Sequence, residues 1–184
     1  MTGDELSDLL MRVRALEDER DIARLIASYG PRVDAADADG AAALWAVDGF
    51  YDVEGWRMDG SDGVHRMVSS ASHRELVAGG CCHFLGPVVV TVTGDSAIAV
   101  CESLVLLRSP DAAAERLPYT GWRHAASEYV VWRATANHFE LQRFDDGWQI
   151  VGRTSRMLDG NPHAHHLLTA GLAGTTPSRG EVES

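Results

Sequence analysis

Two side chains in this sequence could together move a proton. Asp34 closes a helical run from Ile22 to Asp34, just before a turn through Asp37 and Gly40. A carboxylate facing a core needs a partner, because an isolated buried charge costs many kcal/mol and otherwise takes up a proton. The run from Cys81 to Val92 offers one in His83, the group there that titrates near neutral pH. An aspartate that accepts a hydrogen bond from one ring nitrogen leaves the other nitrogen as acceptor and strengthens it as a base. Asp34 and His83 are therefore read as a catalytic dyad. The plainer reading is a helix-end cap and a structural histidine.

The rest of the chain must bring these two together. It has 184 residues, 45% hydrophobic and 23% charged, which suits one globular domain over residues 1–184 with a substantial core. Apolar residues at 6, 9, 10, 13, 16, 22, 25 and 26 recur at helical spacing, and Pro31 after Gly30 predicts a kink or break. A second helical run is expected over 41–46, a short strand over 49–56 and a further helix over 61–77. From Cys81 onward the composition turns to Val, Ile, Thr and aromatics. Four long strands are expected, over 81–93, 97–108, 127–143 and 148–158. Helices first and an antiparallel sheet afterwards is an α+β order. Residues 109–124 read as a loop that could cover a pocket mouth, and 163–184 as a flexible tail.

Composition excludes several chemistries. The net charge of −11 argues against nucleic acid and anionic membrane as partners. All 16 basic residues are arginine, so a Schiff-base amine, a pyridoxal phosphate anchor and a phosphate-loop lysine are missing. Three cysteines, Cys81, Cys82 and Cys101, form no metal-knuckle spacing and suit a reducing compartment. Three histidines, His163, His165 and His166, suggest an exposed cluster rather than a metal site. Neither a cofactor nor a metal is expected, the partner is a small molecule, and the location expected is cytoplasmic.

The order of elements resembles the nuclear transport factor 2-like superfamily, with Val33 and Asp34 at a helix end, Cys82 to Pro87 opening a strand, and Asp145 to Arg153 closing the sheet. Within that superfamily it is most similar to the SnoaL-like group that includes scytalone dehydratase and hexachlorocyclohexane dehydrochlorinase. The resemblance implies a cone-shaped α+β barrel whose curved sheet encloses a pocket beneath N-terminal helices. It implies that Asp34 orients His83 and that His83 removes a proton during elimination. It also places Arg153 where a dehydrochlorinase-like arginine holds the leaving group, and Tyr29 where isomerases carry an oxyanion-binding tyrosine. Val53 stands where an isomerase would have its carboxylate base, and the second active-site histidine of scytalone dehydratase has no clear counterpart between Ala97 and Arg108.

Tyr29, Trp45, Tyr51 and Asn137 are the expected substrate-binding residues, although aromatics at such spacing also build cores, and Asn137 could serve the sheet alone. The expected activity is a cofactor-independent lyase, such as a dehydratase, or an isomerase or cyclase. Its substrate would be a small cyclic or polyketide-like molecule, and its assembly a homodimer or homotrimer. The alternative is a non-catalytic ligand-binding or assembly module on the same fold.

Overall fold

The computed structural model describes residues 2–109, 114–116, 123–125 and 129–178. It opens with helix α1 (Gly3–Asp34), started by a capping box in which Thr2 and Glu5 exchange hydrogen bonds. Its apolar stripe does two different things. Leu6, Leu9, Leu10, Val13 and Leu16 are exposed, whereas Ile22, Ile26, Tyr29 and Val33 are buried against the sheet. The expected break at Pro31 does not occur: the helix continues three residues beyond it, and Ala35 donates to the Pro31 carbonyl. Pro31 cannot donate to the carbonyl four residues earlier, so one helical hydrogen bond is absent there, and the helix ends within one turn of it.

Ala36, at a φ of 54°, reverses the chain, and Asp37 caps the short α2 (Ala38–Ala42) by accepting from Gly40. The helix expected over 41–46 is thus shorter and earlier. Strand β1 (Trp45–Val53) begins where it was to continue, because Trp45 and Ala46 pack into the core beside the last long strand. Glu54 and Gly55, both at positive φ, turn β1 into β2 (Trp56–Asp59). Helices α3 (Gly60–Ser69) and α4 (Ala71–Ala78) follow.

Strands β3 (Cys81–Leu85) and β4 (Val89–Thr93) replace the single strand expected over 81–93. Both pair with β5 (Ser96–Arg108), and the chain jogs between them at Gly86 and Pro87. Short strands β6 (Ala114–Arg116) and β7 (Arg123–Ala125) form a separate hairpin within the stretch expected to be all loop, whose remaining residues lie outside those described. Long strands β8 (Tyr129–Phe144) and β9 (Gly147–Met157) complete a mixed, unclosed sheet in the order β2-β1-β9-β8-β5-β3, with β4 also on β5. Only the β1–β9 pairing in that sheet is parallel.

The two faces of β8 serve two layers, as alternation along a strand requires. Phe139 and Leu141 join Ile22, Ile26, Tyr29 and Val33 of α1 in the main core, whereas Ala136 meets helix α5 (Pro162–Leu172) through Ala164 and Leu167. Residues 163–172 of the stretch expected as a flexible tail belong to this helix. Asn161 caps it, Pro162 occupies its first turn, and Gly171 lies so close to Val100 that a side chain there would collide. No described helix is long and apolar enough to cross a membrane.

Candidate functional site

The C-terminal end of α1 is pressed onto β3, and a glycine permits it. A Cβ on Gly30 would overlap the carbonyl oxygen of His83, so a bulkier residue there would hold the helix off the strand. At this distance Asp34 holds His83 twice. One carboxylate oxygen accepts from the His83 backbone N–H at 2.8 Å, and the other lies 2.6 Å from Nδ1. Both side chains are largely buried, with 22% and 17% exposure. Facing a carboxylate, Nδ1 carries the proton and Nε2 is left with a free lone pair. Burial pulls the His83 pKa below its ordinary 6.5; the hydrogen bond and charge of Asp34 oppose that shift, while His73 and Arg153 add to it.

His83 lines a cavity of about 790 Å³ together with Tyr29, Tyr51 and Arg153, so four of the expected residues converge on one space. Trp45 and Asn137 do not line it. Trp45 stacks on Tyr51 at 5.8 Å and meets Tyr29 edge-on at 5.5 Å, which makes it the backing of the aromatic wall. Asn137 is fully buried and acts through Arg153, whose Nε and Nη2 both donate to its Oδ1 at 3.2 and 2.7 Å. Ser155 donates to the same oxygen at 2.6 Å, and the Asn137 amide donates to Ser103 and Thr135. Arg153 is only 3% exposed and no carboxylate pairs with it among the described residues. Its guanidinium lies 4.5, 4.3 and 5.0 Å from the rings of Tyr29, Tyr51 and Phe139. Burial pushes the Tyr29 pKa well up, so its hydroxyl keeps its proton near neutral pH.

Sequence reasoning missed His73. It lies on α4, buried and lining the cavity, with its ring 6.0 Å from that of His83. Its Nε2 donates to the Val33 carbonyl at 3.0 Å and so pins the peptide that precedes Asp34. The resemblance points to the strand from Ala97 to Arg108 for a second histidine, whereas this one comes from a helix. Also missed were Ser103 and Ser155 as wall residues, whereas Thr135 and the consecutive pair Trp132 and Arg133, which the sequence offers as pocket candidates on the third long strand and among the aromatics, do line the cavity. A β-bulge explains that pair. Arg133 faces Val105 and Val131 faces Leu106, which leaves Trp132 as an extra residue and lets both neighbours reach one space.

Asp34, Cys81 and His83 place donor atoms within 4.8 Å of one another, the spacing of a small metal site. Burial pushes the Cys81 thiol up to about 11, so it is protonated near neutral pH, and both Asp34 oxygens are engaged by His83. A metal would have to displace the dyad's own proton.

The family model for the SnoaL-like domain matches residues 14–154. Among solved structures, an NTF2-like protein with a cystatin-like fold from Novosphingobium aromaticivorans is 37% identical; the match covers 91% of this chain and 99% of that one, with a TM-score of 0.77. The hexachlorocyclohexane dehydrochlorinase LinA-type3 from Novosphingobium barchaimii LL02 is 18% identical, covering 84% and 90%, with a TM-score of 0.56. A protein assigned as a scytalone dehydratase from Novosphingobium aromaticivorans is 16% identical, covering 78% and 85%, with a TM-score of 0.57. At the two lower identities the likeness is one of fold. No curated protein matches the chain significantly.

Proposed function

The chain belongs to the SnoaL-like domain family, within the NTF2-like fold, and from that premise we propose that it is a cofactor-independent lyase or isomerase acting on a small cyclic or polyketide-like molecule. The observation that carries this reading is the double grip of Asp34 on His83, which fixes the ring and leaves Nε2 as the acceptor beside a cavity.

Neutral His83 would take a proton from a carbon next to a carbonyl. The electron pair of the broken C–H bond then either expels a hydroxyl or halide on the neighbouring carbon or rests on the carbonyl oxygen as an enolate. A positioned base contributes typically about 10²–10⁴-fold. The enolate would form near the unpaired Arg153 charge and the protonated Tyr29 hydroxyl, in a site dry enough to strengthen both. Return of the proton at another carbon gives isomerisation, and attack of the enolate on a second carbonyl gives cyclisation. His73 would position Asp34 rather than touch the substrate, through its bond to Val33.

The test is incubation of the full chain with cyclic β-hydroxyketones and polyketide-like ketones in D₂O, followed by mass spectrometry. Loss of water, or deuterium entering the α-carbon, at a rate that drops by orders of magnitude in Asp34→Asn supports the reading. A bound compound recovered unchanged and undeuterated would instead identify a ligand-binding module.

A further inference from the structure

The cavity has a charge that the chain as a whole does not. The protein carries a net charge of −11, yet the cavity is lined by Arg57, Arg66, Arg133 and Arg153 against a single carboxylate in its wall, Asp59. Outside the cavity, Arg32 is met by Asp37, Arg143 by Asp18 and Asp95, and Arg156 by Asp52. Asp59 engages Arg57 at 2.8 Å, and both are half-exposed or more. Arg66 and Arg133 form no ion pair among the described residues, and the Arg133 guanidinium lies 5.3 Å from the ring centre of Trp132.

Exposure separates the wall into two zones. Tyr29, Tyr51, His73, Ser103, Thr135, Arg153 and Ser155 are buried and form the floor. Arg57, Arg66, Trp56 and Trp132 are exposed and form the mouth, with Arg133 half-buried at its edge. Cations around the opening of a low-dielectric cleft focus field into it and attract anions, and this field opposes that of the acidic surface. Arginine also binds carboxylate and phosphate through paired N–H groups, and flanking tryptophans offer flat apolar faces for a ring.

We propose that the mouth is a subsite for an anionic group, a carboxylate or a phosphate, carried by an aromatic or polycyclic substrate and held by Arg66 and Arg133 with help from Arg57. The subsite belongs to the cavity of the proposed reaction but its binding does not depend on His83 acting as a base. Two or three partly exposed ion pairs of modest strength together correspond to about tenfold in affinity.

The experiment titrates the full chain with 2-naphthoate, 2-naphthyl phosphate and neutral 2-naphthamide by calorimetry, at low and high salt. The expected result is that at least one anion binds about tenfold more tightly than the amide, that high salt erases the preference, and that Arg66→Gln with Arg133→Gln brings anion and amide to parity. The tighter of the two anions identifies the group. His83→Ala should abolish any turnover while keeping the preference, which separates failure of this proposal from failure of the dyad reading. Equal binding of anion and amide to the unaltered protein overturns the subsite. So does absence of binding by either anion, and so does a preference that survives the double substitution. If the double variant does not give a cooperative melt, Arg66→Gln alone is measured, and parity must then be approached in part.

Discussion

Replacing Gly30 with alanine, one helical turn before Asp34, should pull the dyad apart by adding a single methyl group. A Cβ at this position overlaps the His83 carbonyl oxygen, and real Cβ atoms essentially never come that close to backbone. Relief requires α1 and β3 to part by on the order of 1 Å, which takes the 2.6 and 2.8 Å contacts of Asp34 with His83 beyond useful hydrogen-bond range. Bonds to a charged group contribute about 1.5–3 kcal/mol each. Alanine in a helix returns about 1 kcal/mol relative to glycine. The expected balance is a loss of about 2–5 kcal/mol in unfolding free energy and, once a substrate is known, a rate reduced on the order of 10²-fold by misplacement. Urea denaturation followed by circular dichroism measures the first. A Gly30→Ala protein as stable as the parent, or about 1 kcal/mol more stable as propensity alone would give, refutes the close approach and with it the geometry of the dyad.

Asp18 ties the middle of α1 to the far end of the sheet, accepting from Arg143 twice and from Trp148. Asp18→Asn should lower unfolding free energy by about 1–3 kcal/mol in urea denaturation. Arg143 holds the Asp18 pKa below 3.8, so this stabilisation is fully present above that value and is lost as pH falls through the lower folded value; the acid limb of a stability curve should shrink in the variant. Asn137→Ala, which deprives Arg153 of its acceptor, should lower both stability and turnover, whereas Asn137→Asp should recover stability by pairing with Arg153 yet leave turnover low, because the unpaired charge is gone. Assembly as a dimer or trimer, proposed from the exposed stripe of Leu6, Leu9, Leu10, Val13 and Leu16, predicts a light-scattering mass of two or three times 19.9 kDa, and a monomer at micromolar concentration contradicts it.

The dyad was legible because two signals of different kind agreed: a carboxylate where a helix ends, and a titratable ring in an otherwise apolar strand. The long strands were legible from their β-branched and aromatic content. What lay hidden depended on packing that no periodicity encodes. The stretch of α1 before Asp18 and the stretch after it both carry apolar residues at helical spacing, but the helix meets the sheet only from Asp18 onward. Strict alternation along β8 cannot place Trp132 and Arg133 in one space, because the bulge that does so is a register event between strands. Trp45 and Asn137, expected to bind substrate, lie behind Tyr51 and Arg153 instead, a depth that follows from side-chain size and contacts alone. His73 had no sequence signal beyond its type, whereas α5 did: Asn161 and Pro162 mark a helix start, and Ala164, Leu167, Leu168 and Gly171 recur at helical spacing.

The pH dependence of turnover in the parent protein and in His83→Ala tests the role of His83 most directly. Because burial outweighs the pull of Asp34, protonation of His83 is disfavoured in the folded protein. Only the neutral ring accepts a proton, so the rate should rise with pH through a midpoint below 6.5 and level off above it. That rise should be absent from the residual activity of His83→Ala, which should itself be lower by orders of magnitude. A rate that falls as pH rises through this range, or a His83→Ala protein that keeps both its rate and its rising limb, would show that another group moves the proton.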